Sequence, residues 1–136
     1  WDSTAILMYL ARRYGDETWL PLDAMGLAAV SQWLAVAQNE ILYGLARARA
    51  MILFKRAGDM QEYLTVSTAI LEVMEKHLEN RQWLVLEHPT LADVACFPYV
   101  ALAPDAGITL EHYPAIQAWI SRIRALPGYT GMSGLN

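Results

Sequence analysis

The amino-acid sequence predicts an all-α fold, a bundle of about five to six helices that follows one short helix. Apolar residues recur at three- and four-residue intervals along most of the chain, which places them on one face of a helix. No stretch shows the alternation of apolar and polar residues that is typical of a strand. Helix-capping residues stand before several of the periodic segments, which supports the helical prediction.

The short first helix covers residues 2–15. Asp2 or Ser3 can cap its start, and Gly15 is suited to end it. Arg12 and Arg13 favour the negative end of the helix dipole. Its apolar face consists of Ile6, Leu7 and Leu10, with Ala11 and Tyr14.

Two long helices are predicted after a proline-containing linker at residues 16–22. The first runs from Asp23 to about residue 55, and Gly44 in its middle predicts a bend. A turn at residues 57–59 leads into the second, which continues to about residue 80 and should lie antiparallel to the first. The expected core stripe of the first is Leu27, Val30, Leu34, Ile41, Leu45, Ala48 and Ile52, and that of the second is Leu64, Leu71, Met74 and Leu78.

A helix-capping box opens the next helix, which is almost wholly apolar and is therefore expected to be buried as the centre of the bundle. Thr90 would accept from the backbone N–H of Asp93, while the Asp93 carboxylate accepts from the N–H of Thr90. Pro98 lies inside this helix and predicts a kink. A last helix begins at Tyr113-Pro114, and the tail at residues 129–136 is expected to lie on the surface as coil.

Composition limits the function classes. The chain has 136 residues, of which 55% are hydrophobic and 18% charged, so we expect apolar surface that a partner domain or subunit covers. A net charge of −4 argues against nucleic-acid binding, and the apolar runs are too short to span a membrane. A single cysteine fits a reducing cytoplasm. Because the chain begins at Trp1 and not at methionine, we expect it to be part of something longer or trimmed.

The residues offer little catalytic chemistry of their own. His77, His88 and His112 fit no metal-ligand spacing with Cys96, so no metal site is expected. Cys96 could act as a nucleophile only if it were exposed beside a base, and a buried, inert thiol is the favoured interpretation. No phosphate-binding loop, nucleophile elbow or dinucleotide fingerprint is present.

Two further groups of side chains have a functional and a structural interpretation. Arg47 and Arg49 could hold an anion, although a solvated face or an ion pair with Glu40 is favoured. The aromatic side chains at core or near-core positions are expected mostly to serve packing. They are Trp33, Tyr43, Tyr99 and Trp119.

Four motifs in order resemble the glutathione S-transferase superfamily. DSTAILMYL (residues 2–10) resembles the start of the last helix of the family's thioredoxin-like domain, and WLP (residues 19–21) its interdomain segment. The Trp-Leu pair at residues 83–84, followed by PTLADV (residues 89–94), resembles the family's Trp-Leu and capping box. YPAIQAW (residues 113–119) resembles its last helix.

The resemblance implies a domain division and a glutathione site. Residues 1–15 would be the last helix of a missing thioredoxin-like domain, residues 16–22 the linker and residues 23–136 the helical domain. Asp2 and Ser3 would contact the γ-glutamyl end of glutathione, for which a helix N-terminus offers N–H groups and positive potential. A plain helix cap is the alternative interpretation of these two residues.

The resemblance also implies that a hydrophobic electrophile lies against the first long helix, with Asn39 and Tyr43 lining its pocket. Similar members often have His-Gly-Pro where this chain has Tyr43-Gly44-Leu45, a departure that leaves the acceptor substrate open. Thr90 and Asp93 would be structural. The family's catalytic residue lies in the first domain and is absent from this chain.

The leading hypothesis is the helical, electrophile-binding domain of a cytoplasmic, homodimeric glutathione transferase. Glutathione would be its co-substrate, and no cofactor or metal would be needed. The chain by itself is expected to be inactive. One alternative is a non-catalytic interaction module, and a more distant one is an unrelated helical bundle.

Overall fold

A computed structural model describes residues 1–132 and 134–135, and over these residues the chain is helical and without strands, which confirms the predicted fold class. Six α-helices follow one another, and two helical segments of other types lie among them. The α-helices are α1 (Ser3–Tyr14), α2 (Ala24–Val36), α3 (Arg47–Phe54), α4 (Met60–Leu78), α5 (Leu91–Ala101) and α6 (Pro114–Arg124). A π-helical segment covers Ala37–Ala46, and a 3₁₀ turn covers Ala103–Ala106.

The π-helical segment joins α2 to α3 without a break, so the long helix predicted from Asp23 onwards is continuous but changes its winding in the middle. Gly44 lies in this segment against Ser67 of α4. A Cβ atom at residue 44 would stand 2.8 Å from both the backbone nitrogen and the Oγ of Ser67. Gly44 therefore allows two helix backbones to approach closely, a role that its position in the sequence did not reveal.

The centre of the bundle is α5, whose residues Ala92, Cys96 and Val100 are fully buried. It contacts α2, the π-helical segment and α6. The main core gathers apolar side chains from α2, the π-helical segment, α4, α5 and α6, together with the loops between them. Its largest members include Trp33, Ile41, Leu45, Leu71, Met74, Leu84, Ile116 and Trp119.

Helix α1 is attached through a smaller apolar cluster, in which Ala11 packs with Leu20, Val30 and others. The Arg12 guanidinium donates to the carbonyl oxygens of Leu20 and Pro21, at 2.8 and 3.0 Å. Arg12 thus fixes the linker against α1, in addition to lying at the negative end of the helix dipole.

Helix α6 has no cap from its own residues at its start. Instead, the Glu75 carboxylate of α4 accepts from the N–H groups of Ala115 and Ile116, at 2.9 and 3.0 Å. An acceptor supplied by a neighbouring helix satisfies N–H groups that the first turn leaves open. No helix among the described residues is long and apolar enough to cross a membrane.

Several detailed predictions were wrong. Ile52, expected in the core stripe, is 48% exposed, although Ala48 one turn earlier is fully buried; Ile52 lies in the last turn of α3, beside the exposed Leu53 and Phe54. Tyr43 and Tyr99 are also substantially exposed, unlike Trp33 and Trp119.

The expected ion pair with Glu40 is replaced by two other contacts of the arginines. Arg49 pairs with Asp105 of the 3₁₀ turn at 2.9 Å. Arg47 lies over the Tyr43 ring, with its guanidinium carbon 3.9 Å from the ring centre.

The tail predicted to lie on the surface is in part a core element. Leu135 is buried in the main cluster, and its carbonyl oxygen accepts from the Tyr129 hydroxyl at 3.3 Å. The Tyr129 ring packs edge-on against Phe97 of α5. Ser133 and Asn136, which belong to the same prediction, lie outside the described residues.

Candidate functional site

The N-terminus of α1 carries the two residues proposed to contact glutathione. Asp2 is the cap, in extended backbone conformation, and its Oδ1 accepts from the N–H of Ala5 at 3.0 Å. The carbonyl of Asp2 accepts from the N–H of Ile6 at 2.9 Å, the first helical hydrogen bond. The N–H groups of Ser3 and Thr4 therefore belong to the first turn, where no helical acceptor exists.

This arrangement suits a carboxylate ligand. Free first-turn N–H groups and the positive end of the helix dipole favour a negative charge, and the Ser3 hydroxyl can add a third donor. Asp2 is exposed, and its second oxygen can face an ammonium group while the first holds the cap. One end of an amino acid, with its carboxylate and ammonium side by side, matches these donors and this acceptor.

Gln38 reaches the same helix start from the beginning of the π-helical segment. Its side-chain nitrogen donates to Thr4 Oγ1 at 2.7 Å and to Ser3 Oγ at 3.2 Å. Sequence reasoning missed this residue. A signal was present, because Gln38 is a polar residue at helical spacing between Leu34 and Ile41, two buried members of the core stripe.

Asn39 and Tyr43, the residues predicted to line an electrophile pocket, lie on the exposed side of the π-helical segment. The Asn39 amide nitrogen donates to the Ala35 carbonyl at 2.8 Å. Tyr43 is 47% exposed, and Arg47 covers one face of its ring. Asn39 follows Gln38 directly, so this face adjoins the N-terminus of α1.

The clefts described within the chain lie away from these residues. One of about 570 Å³ is lined by the 3₁₀ turn, the loop after it and α6. Another, of about 420 Å³ and mostly apolar, is lined by Trp19, residues of α5 and the segment after α6. Neither is lined by Asn39 or Tyr43, so the electrophile pocket stays a prediction.

The capping box is the most connected polar group in the described structure. Thr90 Oγ1 accepts from the N–H of Ala92 at 3.2 Å, and Asp93 Oδ2 accepts from the N–H of Thr90 at 2.9 Å. The other carboxylate oxygen, Asp93 Oδ1, accepts from the N–H of Leu84 at 3.0 Å and from Trp119 Nε1 at 2.8 Å. Asp93 is 1% exposed, so it joins α5, α6 and the preceding loop deep inside the bundle.

Cys96 is buried within α5, and its thiol donates to the Trp33 carbonyl with a sulfur–oxygen distance of 3.5 Å. Burial raises the pKa of the Cys96 thiol, and the negative charge of Asp93 raises it further. A protonated, enclosed thiol is unsuited to nucleophilic chemistry. Within the described residues no group of three or more His, Cys, Asp or Glu side chains is placed to hold a metal ion.

The chain is similar to proteins of one known family. Residues 36–127 match the family described as glutathione S-transferase, C-terminal domain. The disulfide-bond oxidoreductase YfcG of Escherichia coli K12 is 32% identical over 135 residues, which cover 93% of this chain and 59% of that protein. Glutathione S-transferase theta-1 of Mus musculus is 29% identical over 138 residues, covering 93% of this chain and 58% of that protein.

Solved structures agree. A glutathione S-transferase from Xanthobacter autotrophicus Py2 superposes with a TM-score of 0.87 at 35% identity, covering 95% of this chain and 64% of that one. One from Pseudomonas fluorescens Pf-5 superposes with a TM-score of 0.85 at 33% identity, covering 96% of this chain and 66% of that one. The chain spans about three fifths of the length of these relatives. It belongs to the glutathione S-transferase family and contains that family's C-terminal helical domain.

Proposed function

We propose that this chain supplies the helical part of a glutathione transferase that conjugates glutathione to hydrophobic electrophiles. In this proposal residues 1–15 complete a thioredoxin-like domain that precedes Trp1, residues 16–22 form the linker, and residues 23–136 form the helical domain. Membership of the family, together with relatives that are longer than this chain, supports the division.

The observation that carries the proposal is the geometry at the start of α1. Asp2 caps the helix with one carboxylate oxygen, and the Ser3 hydroxyl lies beside first-turn N–H groups. We assign the γ-glutamyl carboxylate to these donors and the γ-glutamyl ammonium to Asp2. This pairing binds the end of glutathione that takes no part in the reaction.

The chemistry needs a thiolate that this chain does not provide, because Cys96 is buried and its pKa is raised. The thiolate is that of glutathione, whose thiol proton passes to a base or to solvent. With an aryl halide, the sulfur forms a bond to the ring carbon that bears the halogen, and halide leaves with the bonding electron pair. The residue that stabilises the thiolate belongs to the domain preceding Trp1.

The electrophile binds against the exposed side of the π-helical segment, where Asn39 and Tyr43 offer an amide and an aromatic face. Arg47, stacked on Tyr43, holds that ring and adds a positive charge at the edge of the pocket. A flat apolar acceptor with a polar substituent fits this surface.

We further propose that the protein works in the cytoplasm as a homodimer. The exposed apolar residues of α1 and α2 support partners for this chain beyond its own bundle. They include Ile6, Tyr9, Leu10, Tyr14 and Met25.

A second candidate is glutathione-dependent reduction of disulfides, favoured by the similarity to YfcG, which is named a disulfide-bond oxidoreductase. There the glutathione thiolate attacks one sulfur of the disulfide and forms a mixed disulfide, and the other sulfur leaves as a thiolate. A second glutathione releases the product and forms oxidised glutathione. Both candidates use the same glutathione site and differ in the acceptor.

Two assays on the protein with its preceding domain test the proposal. We expect retention on immobilised glutathione and formation of a conjugate from a chlorinated nitrobenzene, followed by its absorbance. Reduction of a small disulfide without conjugation would favour the second candidate. Absence of both glutathione binding and turnover would refute the proposal and favour a non-catalytic interaction module.

A further inference from the structure

Gln38 is the only residue described outside α1 whose side chain contacts the hydroxyls at the start of that helix. It lies 35 residues from Ser3 in sequence and is partly buried between the two segments. The contact links the proposed glutathione end of the site to the π-helical segment that carries Asn39 and Tyr43.

The chemistry of the contact sets the direction of the hydroxyl protons. An amide nitrogen carries two protons and cannot accept, so Ser3 Oγ and Thr4 Oγ1 both accept from Gln38. A hydroxyl that accepts on one lone pair keeps its own proton for a different partner. The Ser3 proton therefore points away from Gln38.

We propose that Gln38 is a positioning residue that holds the Ser3 hydroxyl ready to donate to the γ-glutamyl carboxylate of glutathione. The inference rests on the proposed function and adds a residue to it. Gln38 does not touch glutathione in this account. It acts through Ser3, whose hydroxyl proton is not donated to Gln38.

The position of Gln38 supports this role. Buried Leu34 and Ile41 flank it at helical spacing on the same long helix. Core packing therefore fixes the backbone to which the Gln38 side chain is attached. A donor anchored in this way loses little conformational freedom when the ligand binds, so its orienting effect is available before binding.

Three substitutions test the inference in the protein with its preceding domain, measured by steady-state kinetics and by calorimetric titration with glutathione. Gln38→Leu removes the donor. Gln38→Glu has nearly the same shape but only accepts, so the Ser3 and Thr4 hydroxyls turn inward to donate to it. Ser3→Ala removes the hydroxyl on which Gln38 acts. Gln32→Glu, at an exposed glutamine of α2, is the control for added charge.

We expect Gln38→Glu to raise the KM and Kd for glutathione about tenfold and Gln38→Leu about threefold to tenfold, because a donor to a charged group is misdirected or loosened. The kcat at saturating glutathione and the KM for the electrophile should stay within about twofold. The lost contact stabilises the bound glutathione equally in the ground state and in the transition state. Gln32→Glu should leave all of them unchanged.

A double-mutant cycle separates positioning from simple packing. In the Ser3→Ala background, Gln38→Leu should change the glutathione KM less than about twofold, because the group it orients is gone. If the effects of Gln38→Leu and Ser3→Ala on the glutathione KM were independent and multiplied in the double variant, the inference would be overturned. A lowered unfolding midpoint in Gln38→Leu with an unchanged glutathione KM would overturn it too.

An unchanged KM in Gln38→Glu would also overturn it, because the hydroxyls would then be donating to residue 38 already. Failure of the unsubstituted protein to bind glutathione would remove the proposed function and this inference together. Binding by the unsubstituted protein that no substitution of Gln38 alters would remove the inference alone.

Discussion

Replacing Asp93 with alanine should destabilise the fold far more than removing an ordinary helix cap. The Asp93 carboxylate accepts from the N–H groups of Thr90 and Leu84 and from the indole N–H of Trp119, at 2.8–3.0 Å. All three donors would lose this acceptor inside the bundle, where water does not replace it. The contact with the Thr90 hydroxyl, at 3.3 Å, is also lost.

The size of the effect follows from the number of buried donors. Each unsatisfied buried donor costs about 1–3 kcal/mol, so three donors, partly relieved by local rearrangement, should cost about 4 kcal/mol. That is a large part of the roughly 5–15 kcal/mol that stabilises a domain. An isolated cap is worth only about 1 kcal/mol. The difference arises because Asp93 also holds α6 and the loop before α5.

Asp59 is the matched control. It also caps a helix, α4, by accepting from the N–H groups of Gln61 and Glu62, but it is exposed. We expect Asp59→Ala to lower the free energy of unfolding in urea by about 1 kcal/mol. Asp93→Asn, which keeps one acceptor oxygen but turns an amide towards a donor, should fall between the two alanine variants.

Urea unfolding followed by far-ultraviolet circular dichroism measures all three variants under identical conditions. The urea midpoint should be highest for Asp59→Ala, lower for Asp93→Asn and lowest for Asp93→Ala. Equal losses for Asp59→Ala and Asp93→Ala would refute the reasoning, because they would show that Asp93 acts as a cap alone.

Two more predictions concern packing and burial. Gly44→Ala should lower the free energy of unfolding by about 1–3 kcal/mol in the same assay. Adding Ser67→Ala should not restore stability, because a Cβ atom at residue 44 would be as close to the Ser67 backbone nitrogen as to its hydroxyl. Full restoration would contradict the backbone contact. Cys96 should not react with a thiol reagent at neutral pH until urea unfolds the chain, and fast reaction of the folded chain would show that the thiol is accessible. Because burial raises the pKa of Cys96 in the folded state, its contribution to stability is complete below the ordinary pKa of a thiol and is lost as pH rises above it.

The sequence predicted the elements whose signals are local. The helix boundaries follow from caps and prolines, as at Asp2, Thr90 and Pro114, which all stand where a helix begins. The burial of Cys96 followed from its apolar neighbours.

Contacts between distant segments were beyond local reasoning. The π-helical winding at residues 37–46 was not predicted, although Gly44 predicted a bend within that range. Arg49 pairs with Asp105, which lies 56 residues away, and not with the nearby Glu40. Spacing along one helix does not report which other helix packs against it.

The site shows the same division. Asp2 and Ser3 were proposed as site residues because a helix start and a family motif coincide there. Gln38 was missed, although a polar residue among buried neighbours was a usable signal, because its partners on α1 become adjacent only in the folded chain. Asn39 and Tyr43 stay predictions, since neither lines a cleft described within the chain.

The most direct test of the account is the affinity for glutathione of the protein with the proposed preceding domain, measured by calorimetric titration with and without Ser3→Ala. Ser121→Ala, at an exposed serine of α6, is the control. We predict that the unsubstituted protein binds glutathione, that Ser3→Ala weakens binding about tenfold and that Ser121→Ala leaves it unchanged. Equal affinities of the Ser3→Ala and unsubstituted proteins, or no binding by either, would contradict the assignment of the glutathione site to the start of α1.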